Sequence, residues 1–244
     1  MKTYFLVLAY NEEELLKTAV LNLQKVISQT SLNDYQIIIV NDGSTDNTTR
    51  VALNCQNEID TNIIITTNKK NIGGTKSIQN FLKDYDHGKL IVITGDNDMH
   101  VGLIEKLIVN SKINDFVISY YINREVKGYL RAMISYFYNF ALCSIFQVYA
   151  FYLQGPFVWP IEIVKKFNLN NNGVTFISEV NIKLLKSNLK FKEIAGISNV
   201  GSYKSTAIST KNIFKSLYTI IHLINEIYIL KKFNKNSIRN LENI

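Results

Sequence analysis

Short apolar runs alternate with helical spacing through the first half of this chain, and that alternation restricts the fold more than any other feature. Tyr4-Phe5-Leu6-Val7-Leu8, Ile37-Ile38-Ile39-Val40, Ile63-Ile64-Ile65, Leu90-Ile91-Val92-Ile93 and Phe116-Val117-Ile118 are short and uniformly apolar. They read as strands buried on both faces. Between them, residues 12–28 carry Leu15, Leu16, Ala19, Leu23 and Val26 on one helical stripe, and further helices are predicted from about Thr45, over 75–84 and over 102–111. This order implies an α/β fold: a Rossmann-like, mostly parallel sheet with helices on both faces. Such sheets bind ligands beyond the carboxyl ends of their strands. The residues that follow each strand therefore carry the functional reading.

Composition narrows the classes. A chain of 244 residues can bury one sizeable core, and 47% hydrophobic with 19% charged residues excludes a disordered polypeptide. The net charge of +7 is spread along the chain. It suits an anionic membrane surface or an acidic substrate, and without a recognition motif no nucleic-acid partner is expected. Cys55 and Cys143 have neither CxxC nor metal spacing, so both are expected to be reduced thiols. The first strand opens the sequence with no leader before it, which places the expected site of action in the cytoplasm.

Polar groups gather where strands end. Ala9-Tyr10-Asn11-Glu12 follows the first, Asn41-Asp42-Gly43-Ser44-Thr45-Asp46 the second, Asn68 and then Asn71-Ile72-Gly73-Gly74 the third, and Gly95-Asp96-Asn97-Asp98 the fourth. Taken singly, each is an ordinary turn or helix cap. Together they form one coherent site. Asp96 and Asp98, at i and i+2, can hold a hard divalent ion whose shell a diphosphate completes. Asp42 can accept hydrogen bonds from a base or ribose, and Gly73 and Gly74 let backbone approach a phosphate. The absence of GxGxxG after the first strand speaks against a dinucleotide oxidoreductase, and the absence of GxxxxGK[ST] against a P-loop NTPase.

In order and spacing, Leu8-Ala9-Tyr10-Asn11-Glu12-Glu13, Val40-Asn41-Asp42-Gly43-Ser44-Thr45-Asp46 and Asp96-Asn97-Asp98 resemble family 2 glycosyltransferases over the first 110 residues. The resemblance implies the GT-A fold. It implies a nucleotide-sugar site at Ala9, Tyr10, Asn11, Glu12, Asp42, Gly73, Gly74, Asp96, Asn97 and Asp98, with Mg²⁺ or Mn²⁺ at the DxD pair. The second half is similar to the dolichol-phosphate mannose synthase branch. That similarity implies an acceptor phosphate bound by Arg124, Arg131 and Ser135, a contribution from His100 to the metal shell, and Lys204 in Gly201-Ser202-Tyr203-Lys204-Ser205 as a further phosphate group. The branch's acid in a Ser-Gly-Phe segment has no counterpart in Phe151–Phe157.

A polyprenyl phosphate is already an anion and needs cations to position it rather than a base. A sugar hydroxyl of a glycolipid or polysaccharide precursor would need a carboxylate base, and Glu179, opening a helix over 178–187, is the candidate. A non-catalytic membrane scaffold is the reading outside the enzyme class. Residues 127–153 read as a long apolar helix, expected to pack on the domain and line the acceptor groove. Residues 211–232 read as an amphipathic helix with Ile213, Phe214, Leu217, Ile220, Ile221, Ile224, Ile227 and Tyr228 on one face, lying at a membrane interface or docked on the core. The expected organisation is a glycosyltransferase domain over 1–208, divided into a donor half (1–112) and an acceptor half (113–208), then a membrane-interface helix and basic tail over 209–244. The expected location is the inner face of a membrane, with oligomeric state open.

Overall fold

In the computed structural model the described residues are 1–169, 173, 175–199 and 210–241. The strands are β1 (Thr3–Ala9), β2 (Tyr35–Asn41), β3 (Ile64–Thr67), β4 (Lys89–Thr94), β5 (Phe116–Tyr121), β6 (Phe157–Pro160), β7 (Lys190–Gly196) and β8 (Ile238–Arg239). The helices are α1 (Leu16–Gln29), α2 (Thr48–Glu58), α3 (Gly74–Asp84), α4 (Val101–Ser111), α5 (Tyr129–Phe146), α6 (Ile161–Val164), α7 (Phe176–Leu185) and α8 (Thr210–Ile224). A 3-10 turn, Arg124–Lys127, precedes α5, and a π-helical turn, Asn225–Ile229, follows α8.

One eight-stranded sheet runs in the order β3-β2-β1-β4-β6-β5-β7-β8. All pairs are parallel except those of β6, which runs antiparallel between β4 and β5. Because β6 reverses twice, β5 and β7 run in the same sense as β1 to β4. Their carboxyl ends lie on the same edge. The five expected strands are all present, and the periodicity is the cause. Leu6, Ile38 and Phe116 enter one apolar layer, whereas their neighbours Phe5, Val7, Ile37 and Ile39 enter the layer on the opposite face. Alternate side chains of a strand point to opposite faces, so a uniformly apolar strand feeds two cores. Leu16, Val20, Leu23 and Ile27 of α1 close one layer at helical spacing.

Of the strands beyond these five, β6 is only four residues long, yet its Trp159 is fully buried. Trp159 stacks on Phe157 and donates its indole N–H to Asn181 Oδ1 at 2.8 Å. Asn181 in turn donates to the Leu153 carbonyl at 2.9 Å, so this buried polar pair is satisfied. The apolar run over 127–153 is not one helix. Gly128 at φ 101° separates the 3-10 turn from α5, and Gln147 at φ 50° ends α5 in a left-handed cap. The helix expected over 211–232 is α8 plus the π turn. Leu223 and Ile227 are buried in the protein's own core, while Leu217, Tyr218 and Ile221 face solvent. Among the described residues no helix is long and apolar enough to cross a membrane.

Candidate active site

The strand ends bring together the residues expected to bind a donor. Ala9 pairs with Asn41, Leu8 with Thr94, and Asn41 with Thr67, so the four following loops start level with one another. The loops after β1 and β2 are then laced together. Asn11 N–H donates to Ser44 Oγ (3.0 Å), Thr45 N–H to Asn11 Oδ1 (2.8 Å), Glu12 N–H to Thr48 Oγ1 (2.8 Å) and Asn47 N–H to Glu13 Oε2 (2.9 Å). Asn11 sits at φ 56°, a conformation asparagine tolerates better than most residues. Asn11 thus ties two loops together, and Tyr10 beside it is exposed.

Asp42 shapes the next loop. Its Oδ1 accepts from Asn68 Nδ2 at 2.8 Å and from Ile72 N–H at 3.0 Å, and its Oδ2 accepts from Gly73 N–H at 2.7 Å. The amide of Gly73 is therefore spent on Asp42, and that residue's contribution is its φ of 86°, which turns the chain into α3 at Gly74. Gly43 meets the same loop: a Cβ there would lie 2.5 Å from the Lys70 carbonyl carbon.

Beyond β4, Asp96 Oδ1 accepts from the Asp98 N–H at 3.0 Å, and Asn97, at φ 55°, accepts from Asn22 Nδ2 at 3.1 Å. Asp98 is buried. Its carboxylate accepts from Tyr121 Oη at 3.2 Å, at the end of β5, and from the Ser198 hydroxyl just beyond β7. Nothing near Asp98 in sequence signals either partner; both arrive because β5 and β7 end on the same edge. Glu12, partly buried and facing Asp96 and Asp46, is pushed up to about 7, first by burial and then by those two charges. This crowd of carboxylates suits a divalent cation. Asp96 Oδ2 accepts no hydrogen bond among the described residues, which leaves a carboxylate oxygen beside Asp98 to face an ion. His100 is placed otherwise than expected. It caps α4, its Nδ1 accepting from Gly102 N–H at 3.1 Å, so in the neutral ring the other nitrogen carries the proton and neither is left to ligate an ion.

Asp98 also lines a cavity of about 300 Å³ with Arg124, Arg131, Ser135, Tyr152 and Gln154. The structure thus brings the three described acceptor candidates together with the second DxD carboxylate. Arg124 is only 6% exposed. Its guanidinium lies 3.6 Å from the ring centre of Tyr152 and 4.5 Å from that of Tyr136, and one nitrogen donates to the Phe151 carbonyl at 3.3 Å. Its Nε and Nη1 are buried and have no partner among the described residues, and the same holds for Thr94 Oγ1 in the same cavity. Burial lowers the Arg124 pKa, opposed by the two tyrosines and Glu193. Ser135 donates to Tyr152 Oη at 3.1 Å. Tyr121, Tyr136, Tyr152 and Thr94 were not singled out from the sequence, because an aromatic or threonine in an apolar run carries no local mark of a site. Lys204 lies outside the described residues.

Glu179 is elsewhere. It lies in the first turn of α7, 2% exposed, and does not line the Asp98 cavity. Its Oε1 is 2.9 Å from the Lys183 ammonium, which is also 2.7 Å from Glu226 Oε2 on the π turn. Burial raises the Glu179 pKa, and Lys183 opposes the rise. Glu179, His222 and Glu226 offer ligand atoms within 4.8 Å of one another, but Lys183 bridges the two carboxylates and Lys232 lies 3.4 Å from Glu226 Oε1, so cations already answer this cluster. The arrangement is a buried ion-pair network joining α7 to the π turn.

The family model described as Glycosyl transferase family 2 matches residues 4–169. No curated protein matches the chain. Among solved structures, S. aureus TarS 1-349 in complex with UDP-GlcNAc is similar at 14% identity and TM-score 0.64, over 92% of this chain and 67% of that one. Mannosyl-3-phosphoglycerate synthase from Rubrobacter xylanophilus is similar at 14% identity and TM-score 0.65, over 95% of this chain and 76% of that one. Glucosyl-3-phosphoglycerate synthase from Mycobacterium tuberculosis, in complex with UDP, is similar at 13% identity and TM-score 0.60, over 90% and 80%. At these identities the likeness establishes a shared fold.

Proposed function

Because the chain belongs to glycosyl transferase family 2 and is a glycosyltransferase by that membership, we propose that it transfers a sugar from a nucleoside-diphosphate donor to a polyprenyl-phosphate acceptor. The observation that carries this reading is Arg124: a guanidinium nine-tenths buried, two donors without partners, in the cavity that holds Asp98. A buried charge with unmet donors costs stability and persists where a ligand completes it. A phosphate is the ligand whose geometry the fork of an arginine fits.

The donor would lie across the loops after β1 to β4. One acceptor position remains on Asp42 Oδ2, beyond its bond from Gly73, for a base N–H. The presence of UDP or UDP-GlcNAc in two of the similar structures supports a uridine nucleotide. Asp96 and Asp98 are the residues that would hold Mg²⁺ or Mn²⁺, which when bound offsets charge on the departing diphosphate. Tyr121 and Ser198 keep the Asp98 carboxylate in one orientation by donating to it. Arg124 and Arg131 place the acceptor phosphate at the anomeric carbon. A phosphate oxygen forms the new C–O bond as the bond to the nucleoside diphosphate breaks, with inversion and with no proton to remove. Glu179, the candidate base for a hydroxyl acceptor, pairs with Lys183 and does not line the cavity, which favours the phosphate acceptor. A lipid acceptor places the enzyme at a membrane face, and the net charge of +7 suits an anionic one.

The test is a turnover assay with Mg²⁺ or Mn²⁺, a panel of nucleotide sugars and a polyprenyl phosphate in detergent, read by mass. A sugar-phospholipid product that disappears in Asp98→Ala, with folding retained, is expected. Transfer to sugar hydroxyls but not to the lipid phosphate would overturn the acceptor assignment.

A further inference from the structure

Arg124 is held by the chain that follows α5. Its guanidinium donates to the Phe151 carbonyl at 3.3 Å and stacks 3.6 Å from the ring centre of Tyr152. Residues 149–152 belong to no helix or strand, so their place is set by what ties them down. Two side chains from the last two strands of the sheet do so. Glu193 Oε1 on β7 accepts from the Phe151 N–H at 2.6 Å, and Arg239 Nη2 on β8 donates to the Tyr149 carbonyl at 2.6 Å. Arg239 Nη1 also donates to Glu193 Oε2, and the Glu193 side chain is 1% exposed. The two meet because β8 pairs with β7, Arg239 opposite Phe191. Burial pushes the Glu193 carboxyl up, while Arg239 and the amides of Phe151 and Tyr152 oppose the rise and favour its charged form.

We propose that Glu193 and Arg239 are positioning residues for the acceptor. They fix residues 149–152 so that the Phe151 carbonyl and the Tyr152 ring aim the Arg124 fork into the Asp98 cavity. The proposal rests on the acceptor reading above and adds what holds its arginine in place. Neither residue lines the cavity, so both act through Arg124. Phe151 is the link: its N–H is held by Glu193 and its carbonyl receives Arg124. Stability alone is a poor reason for the pair, because the desolvation of two buried charges offsets their attraction and an apolar pair would hold β8 as well. An apolar pair could not accept from the Phe151 amide. Asn139 gives the segment a second anchor, donating to the Ala150 and Phe151 carbonyls at 3.1 and 3.2 Å. Loss of the Glu193–Arg239 tie therefore loosens the segment without freeing it, and misplacement of a positioning group by a fraction of its bond length already slows transfer.

The experiment compares the full chain with Arg239→Gln, Glu193→Gln/Arg239→Gln and Arg239→Lys. The double variant leaves no buried carboxylate without its cation, so it keeps the test open where Arg239→Gln alone fails to fold. Turnover is measured with polyprenyl phosphate varied at saturating donor, then with donor varied at saturating acceptor. In parallel, the ¹H–¹⁵N resonance of Arg124 Nε is followed without any acceptor, identified by its loss in Arg124→Met. Both glutamine variants are expected to raise the acceptor KM about tenfold, the equivalent of one net bond to a charged group, to keep the donor KM within about twofold, and to shift the Arg124 resonance. Arg239→Lys keeps a cation beside Glu193 and is expected to recover part of the acceptor KM. A pair that serves the fold alone would lower the melting temperature and leave the acceptor KM and the resonance at the parent's values, and either of those two results in a folded variant overturns the proposal. A parent that accepts no polyprenyl phosphate overturns the acceptor reading alone; the resonance then decides the positioning role, upheld by a shift and overturned by none.

Discussion

Replacing Arg124 by methionine separates a residue kept for the ligand from one kept for the fold. The side chain is 6% exposed, so the substitution exchanges one buried group for another of similar length. Two effects on stability oppose each other. Two buried donors without partners are removed, each costing about 1–3 kcal/mol in the unliganded protein. Two cation–π contacts are lost, at Tyr152 and Tyr136, each contributing about 0.5–2 kcal/mol, together with a 3.3 Å bond to Phe151 contributing about 1 kcal/mol. The midpoints are about 4 kcal/mol gained against about 3.5 lost, so the urea midpoint is expected to stay close to the parent's. Transfer responds differently. Two charge-assisted bonds to an acceptor phosphate are each worth about 1.5–3 kcal/mol, which amounts to a loss of about 10²- to 10⁴-fold in kcat/KM for the acceptor. Nucleotide affinity, set by the loops after β1 to β4, is expected to be unchanged. The assay pairs urea unfolding with acceptor-dependent turnover at fixed donor. Destabilisation beyond about 3 kcal/mol would make Arg124 a structural pillar, and turnover equal to the parent's would remove it from the acceptor site.

Four further outcomes follow from the geometry. Lys183→Met leaves Glu179 and Glu226 buried without their shared cation and is expected to cost about 3–5 kcal/mol by urea unfolding, whereas Glu179→Gln is expected to keep kcat/KM within about twofold of the parent because the carboxylate does not line the cavity; a collapse of turnover in the glutamine variant would restore Glu179 as a base. In metal-free protein Glu12 rises from 4.5 to about 7, so the native state holds a proton the unfolded chain has released, and the associated stability is present at low pH and lost as pH rises through about 7; Glu12→Gln is expected to match the parent near pH ~5 and exceed it near pH ~8 in urea midpoint, and parallel profiles would refute the shift. Gly155→Ala places a Cβ 1.8 Å from the Ser119 carbonyl oxygen, which is backbone and cannot swing away, so a loss of about 1–3 kcal/mol is expected in thermal unfolding together with a distorted cavity wall; an unchanged melting temperature would show that β6 shifts freely.

The sequence by itself determined where the loops proposed to bind the donor lie. Strand periodicity is local, a parallel sheet follows from alternation, and ligands gather at strand ends. The loops holding Asp42, Asp96 and Asp98 could therefore be placed on one edge before any coordinate was known, and they lie there. What those residues bond to was not legible. Asp42 is engaged by a loop thirty residues on, and Asp98 by Ser198 a hundred residues on. Such pairings depend on which strands become neighbours, and β6, too short to announce itself, is what turns β5 and β7 to face the same edge as β4. His100 and Glu179 differ: their spacing permitted a ligand and a base, but contacts two and four residues on, with Gly102 and Lys183, made one a helix cap and the other half of an ion pair, and only its burial and its link to Glu226 are tertiary. Tertiary structure decides most at α5. Its polar stripe, Arg131, Ser135 and Asn139 at spacings of four, faces the cavity and the core rather than solvent, so the contrast that periodicity reports does not say which face is covered. Only packing against the sheet decided that Leu142 and Phe146 go inward, that Arg131 and Ser135 reach the cavity, and that Phe137 and Phe140 are left outside.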